Sequence, residues 1–144
     1  MIYSYPDLDD TLFNTAAKCQ HPITECSLGA VDNDGEPLSF CSPKQMALIK
    51  LLAANGTVIP VTARSHRAFS NVKIKFESYA IINNGATILD SNGSINAEWA
   101  EHIRDEVKSH VPLLDMFTNK LNELIDALGV TPSINRAVMD GTTL

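Results

Sequence analysis

This chain is short of positive charge: 11 Lys and Arg stand against 17 Asp and Glu, a formal net charge of −6 over 144 residues. That deficit removes the electrostatic footprint by which proteins hold nucleic acid or an anionic membrane surface, so neither is expected as a partner. Cysteine is sparser still, with three residues. Cys19, Cys26 and Cys41 are odd in number, and no secretory leader precedes the first acidic residues, so reduced thiols in a cytoplasmic protein are expected rather than a disulfide framework. Together with His21 they still lack the C-x-x-C spacing of structural zinc sites. No apolar run nears the roughly 18 residues of a membrane span. The 44% of hydrophobic residues is enough to bury one core, which predicts one domain, or one and a part.

The most informative stretch lies near the start. An apolar run from Met1 to Tyr5, read as a short strand over Ile2 to Tyr5, leads through Pro6 into Asp7-Leu8-Asp9-Asp10-Thr11-Leu12-Phe13. Proline cannot donate to a sheet ladder, so Pro6 belongs at a strand end, an edge or a bulge. Ligands of open α/β sheets bind beyond the carboxyl ends of strands. Two carboxylates two positions apart there can share a divalent cation or divide nucleophile and proton-donor roles. Thr11 adds a hydroxyl. The same letters also describe an acidic turn in which Asp10 or Thr11 caps a following helix.

Residues 14 to 42 read as irregular and polar, with a hairpin turn over Val31-Asp32-Asn33-Asp34-Gly35-Glu36. A calcium loop is excluded, because its first and twelfth positions fall on Ala30 and Cys41. Ser42 and Pro43, followed by Met46, Ile49 and Leu52, predict a capped helix with an apolar stripe, ended by Gly56. Thr57 to Val61 is apolar enough for a strand covered on both faces. At its end stand Thr62-Ala63-Arg64-Ser65, where a hydroxyl facing the N–H groups of a turn makes a phosphate ligand, or else where Thr62 or Ser65 caps a helix. Tyr79 to Ile82 predicts a third strand, followed by Asn83-Asn84-Gly85-Ala86 and a second turn at Asn92-Gly93. From Ser94, Trp99, Ile103, Val107 and Val111, then Leu114, Phe117, Leu121, Leu124 and Leu128, predict two amphipathic helices broken near Pro112 and stopped by Gly129. His102 and His110 fall off the stripes and are expected in solvent. A short strand is expected within Arg136 to Met139.

A strand ending in D-L-D-D-T, a helix, a strand ending in V-T-A-R-S and a later N-G-A, in that order over residues 1 to 90, resemble the haloacid dehalogenase (HAD) superfamily of phosphohydrolases. The N-G-A segment is similar to that of its capped branch, which contains sucrose, trehalose and Cof-type sugar phosphatases. The resemblance implies an α/β fold: a Rossmann-like HAD core with an incomplete parallel sheet over residues 1–90, followed over 91–144 by the helical start of a cap domain. It implies Asp7 as nucleophile and Asp9 as proton donor, both serving a Mg2+ ion, with Thr11, Thr62, Arg64 and Asn84 binding a small phosphomonoester. Pro6 departs from the pattern, which places an apolar residue there. The third-motif Lys or Arg and the fourth-motif acidic pair are not found, and none of Lys44, Lys50, Lys73, Lys75, Lys108 and Lys120 matches. A non-catalytic remnant of the same fold, acting as a binding or assembly module, is therefore the alternative. The open sheet edge of such a remnant favours a homo-oligomer or a complementing chain.

Overall fold

The best-marked element in the sequence is also the best-capped in three dimensions. Ser42 accepts the Gln45 N–H through its hydroxyl while the Gln45 side chain accepts the Ser42 N–H, a reciprocal box that starts helix α1, Pro43–Asn55. The computed structural model describes residues 1–131 and, beyond them, the backbone of Val138–Met139 and Thr142–Thr143. It is a mixed α/β structure with a small parallel sheet and, among the described residues, four α-helices. The chain divides into two units, Met1–Asn96 and Ala97–Leu144.

In the first unit, β1 (Tyr3–Ser4) pairs in parallel with the strand that follows α1 (Thr57–Val58). Carbonyls of Ile2, Ser4 and Pro6 accept N–H groups from Thr57, Ile59 and Val61 at 2.9, 2.9 and 3.0 Å. Pro6 thus joins the ladder through the one group it has, its carbonyl, which is why it is tolerated here. The expected run to Val61 is regular only over its first two residues. On its other edge, where Pro60 has no N–H to donate, the run meets the third strand only as a single parallel bridge between Val61 and Ile81, with the Pro60 carbonyl accepting the Ile81 N–H at 2.8 Å. Beside that bridge, Ala80–Ile82 pairs antiparallel with Thr87–Leu89.

The region expected to be irregular, residues 14 to 42, instead carries a three-stranded sheet between its turns. Numbered in chain order, β2 (Asn14–Thr15), β3 (Ser27–Val31) and β4 (Pro37–Cys41) form an antiparallel sheet in the order β2-β4-β3. The Thr57–Val58 strand is then β5, and the last pair are β6 and β7. The turn itself falls where expected: Gly35 takes φ 88°, and the Asp32 carboxylate accepts the N–H groups of Asp34 and Glu36, each at 2.9 Å. Its strands escape a periodicity reading because β3 shifts register twice against β4, so burial does not alternate along it.

The core of this unit gathers Leu8, Leu12, Phe13, Cys41 and Ile49, with Phe69 and Phe76 packed against it. A second cluster holds Ala80, Ile82 and Leu89. The buried Cys41 thiol donates to the Leu12 carbonyl at 2.7 Å, and desolvation pushes its pKa up to about 11. Helix α2, His66–Ser70, is capped by Ser65, which accepts the Ala68 N–H at 3.2 Å. Of the two hydroxyls offered for that cap, Thr62 is therefore left for another role.

The second unit contains α3 (Ala97–Lys108), α4 (Val111–Leu128) and the strand pair β8 (Val138–Met139) and β9 (Thr142–Thr143). The helices break ahead of Pro112, and α4 ends at Gly129 in the left-handed region, φ 61°. The expected strand start at Arg136 lies outside the described residues. Along α4 the anticipated stripe is largely uncovered: Phe117 is 61% exposed, Leu124 57% and Leu128 64%, while Val111, Leu121 and Ile125 are half-buried. Apolar residues on this helix exceed the width of one face. His102 and His110 are exposed, the former in ring contact with Trp99 at 5.2 Å. Among the described residues no helix is long and apolar enough to cross a membrane.

Candidate functional site

Three apolar side chains shape the acidic turn. Leu8, Leu12 and Phe13 are wholly buried, and the Leu8 carbonyl collects the N–H groups of Thr11, Leu12 and Phe13 at 3.3, 2.9 and 3.1 Å. This tight turn drives the residues between its anchors outward, so Asp9, Asp10 and Thr11 are exposed, as is Asp7 just before it. Asp10 takes a left-handed backbone, φ 59°, which aspartate accepts more readily than most residues. Its carboxylate pairs with Lys18, which holds it below the usual carboxylate range.

Asp7 lies just beyond the Pro6 carbonyl that accepts the Val61 N–H, so the ends of β1 and of the β5 run are adjacent. One Asp7 oxygen accepts the Leu8 N–H at 2.7 Å. Asp9 reaches across to the second strand end. Arg64 Nε donates to its Oδ2 at 2.8 Å and Nη2 to its Oδ1 at 2.7 Å, a bidentate fork. The guanidinium also stands 5.0 Å over the Phe13 ring and donates through Nη1 to the Ala68 carbonyl at 3.3 Å. Arg64 is consequently far less exposed than its partner, 12% against 50%.

Thr62 is buried at the head of the same loop. Its hydroxyl accepts the Arg64 N–H at 3.2 Å, and its own N–H donates to Ile81 at 2.9 Å. Two further main-chain bonds, from Asn83 to the Arg64 carbonyl at 2.9 Å and from Asn84 to the Thr62 carbonyl at 3.2 Å, bind this loop to the turn after β6. Asn83 and Asn84 are both left-handed, φ 52° and 55°, and Asn83 is anchored by its amide to the Thr87 hydroxyl at 3.0 Å.

Of the residues singled out by sequence, Asp9, Thr62, Arg64 and Asn84 therefore belong to one connected cluster, with Asp7 at its border. Thr11 is turned toward α1, its carbonyl accepting the Gln45 amide at 2.9 Å. Two residues were missed. Gln45 ties the turn to α1 and was signalled by its S-x-x-Q spacing from Ser42, whereas Lys18 carries no local signal. Two open clefts, of about 440 and 230 Å³, lie elsewhere. The larger is lined by Ile49, Gly56, Val58, Lys75 and Phe76, the smaller by Phe69, Val72, Ile74 and Asp90 among others, and neither takes in Asp7, Asp9, Thr62 or Arg64.

The fold and site together define a mixed α/β unit with an acidic turn at one parallel strand end and a hydroxyl and a guanidinium at the next. No protein-family model and no curated protein matches the chain.

Proposed function

We propose that this chain is a HAD-type, magnesium-dependent phosphohydrolase unit acting on a small phosphomonoester of the sugar-phosphate kind, in the cytoplasm. The observation that carries the reading is the Asp9–Arg64 fork, which brings into contact two sequence motifs 55 residues apart that the resemblance requires to share one site.

In this reading the Asp7 carboxylate attacks phosphorus in line and forms an aspartyl-phosphate, while Asp9 protonates the departing alkoxide. A water then attacks phosphorus with Asp9 as base, releasing phosphate and restoring Asp7. Thr62, Arg64, Asn84 and Thr11 orient the phosphoryl oxygens, and Arg64 supplies the positive charge an acidic protein needs to receive that anion. The phosphate dianion competes with Asp9 for the guanidinium, so substrate binding frees the Asp9 carboxylate for proton transfer.

The donor set suits a hard cation. Mg2+ takes oxygen ligands, keeps several waters and needs only one or two carboxylates, so Asp7 and the Asp9 carbonyl would hold it, where it supplies charge neutralisation at the phosphoryl oxygens. With only these two protein oxygens, waters and the substrate's own oxygens would complete the shell.

The same fork favours a second reading. Both oxygens of Asp9 are engaged by Arg64, and the stretch around β1 leaves Ile2, Tyr3 and Tyr5 exposed by 65%, 52% and 58%, as in a remnant that binds a second copy or a complementing chain. Hydrolysis of an aryl phosphate by the purified chain, with and without Mg2+, separates the two. Turnover that needs magnesium and falls at least about 100-fold in Asp7→Asn is the expected result. Turnover that survives Asp7→Asn overturns the assignment of Asp7. No turnover, with oligomer formation unaltered in that variant, favours the binding module.

A further inference from the structure

We propose that Cys19 and Cys26 form a reversible disulfide, making the loop that joins β2 to β3 a thiol–disulfide exchange site. Their sulfurs already stand 3.3 Å apart, and closing them to the ~2.05 Å of a bond requires a movement of roughly 1 Å. Both ends of the loop are fixed. Cys19 closes the 3₁₀ turn Ala16–Lys18 by donating its N–H to the Ala16 carbonyl, and Cys26 closes the turn Ile23–Glu25 by donating to the Ile23 carbonyl at 3.0 Å. On either side the chain runs into β2 and β3, which flank β4 in one sheet, so both ends of the loop that carries the two thiols are tied to the same strand. Both are partly accessible, whereas Cys41 is buried against the Leu12 carbonyl and is no rival.

The oxidant is a low-molecular-weight disulfide of the glutathione class. One cysteine thiolate of the pair attacks a sulfur of that disulfide, breaking its S–S bond and expelling one thiolate, which takes up a proton. The other cysteine, as thiolate, attacks the protein sulfur of the mixed disulfide and expels the second thiol. Two protein S–H bonds are lost and one S–S bond is gained, the protein is oxidised by two electrons, and the small disulfide is reduced to two thiols. The closed ring begins beside Lys18, whose ammonium pairs with Asp10 of the acidic turn, so oxidation pins the segment that supplies that counter-charge.

The test uses the full chain, reduced and then equilibrated in glutathione buffers of increasing oxidised fraction, native and in urea, with peptide mapping and a thiol count in denaturant. The native chain is expected to drop from three free thiols to one, through a Cys19–Cys26 cross-link, at about tenfold less oxidised glutathione than the unfolded chain, because folding holds the pair in contact. Cys41→Ser is expected to behave as the parent, and Cys19→Ser and Cys26→Ser to form no intramolecular cross-link. Equal oxidation of native and unfolded chains, a bridge to Cys41 or between chains, a persistent mixed disulfide on the parent, or Zn2+ retained by the reduced thiols would each overturn the proposal.

Discussion

Arg64 engages both Asp9 oxygens, covers the Phe13 ring and donates to the Ala68 carbonyl, so all three nitrogens of its planar fork are engaged. Lysine keeps the charge but presents a compact ammonium that cannot reproduce that geometry. For Arg64→Lys we expect kcat/KM for an aryl phosphate to fall about 10- to 150-fold, the equivalent of the ~1.5–3 kcal/mol of a hydrogen bond to a charged group, with most of the loss in KM. Unchanged steady-state kinetics would remove Arg64 from the phosphate site. The sequence made Arg64 visible as part of T-A-R-S, and Asp9 as part of D-L-D-D-T. Their pairing was invisible, since no local spacing encodes a contact between residues 55 apart. Lys18 escaped notice for the same reason, whereas Gln45 stood at a spacing that physical reasoning reads directly.

Elements were legible in proportion to how local their signals are. Helix α1 announces itself by its cap, its first-turn proline and its terminal glycine, and it folds where expected. The hairpin turn at Gly35 does so as well. Strands of two residues such as β1, β2 and β5 carry almost no periodicity, and their pairing is set by distant partners. Two substitutions test α1. Ser42→Ala removes the reciprocal cap and is expected to lower stability by about 1 kcal/mol. Gly56→Ala should cost more, about 1–3 kcal/mol, because a Cβ there runs into the Ile2 carbonyl oxygen that holds β1 to β5. Urea unfolding midpoints measure both, and a Gly56→Ala chain as stable as the parent would show that the two strands can shift without loss.

At the scale of the molecule, both buried clusters and the whole candidate site fall within Met1–Asn96. A fragment of residues 1–96 is therefore expected to unfold cooperatively by itself, with a thermal transition by circular dichroism and slowed amide exchange at β5 and β6. A broad, non-cooperative melt would mean that this unit depends on the rest of the chain. The resemblance to the capped branch put a boundary between residues 90 and 91, whereas the chain divides between Asn96 and Ala97. The sequence did not show that α4 would leave Phe117, Leu124 and Leu128 uncovered, because periodicity marks an apolar face without saying whether anything packs on it.

The pairing of Tyr3 with Thr57 also carries a consequence for the order in which the molecule assembles. The hairpin of β3 and β4 closes over a short stretch, and the hydrogen bonds and cap of α1 are local, so both can begin to form early. The β1 contact must wait for a loop of roughly fifty residues to close, and such non-local pairings come late. At ribosomal speeds of about 5–20 residues per second, that leaves the first strand without its neighbour for roughly 3–10 s. Asp7 and Asp9 are synthesised roughly fifty residues ahead of β5, and the site around them comes into being only when that strand arrives.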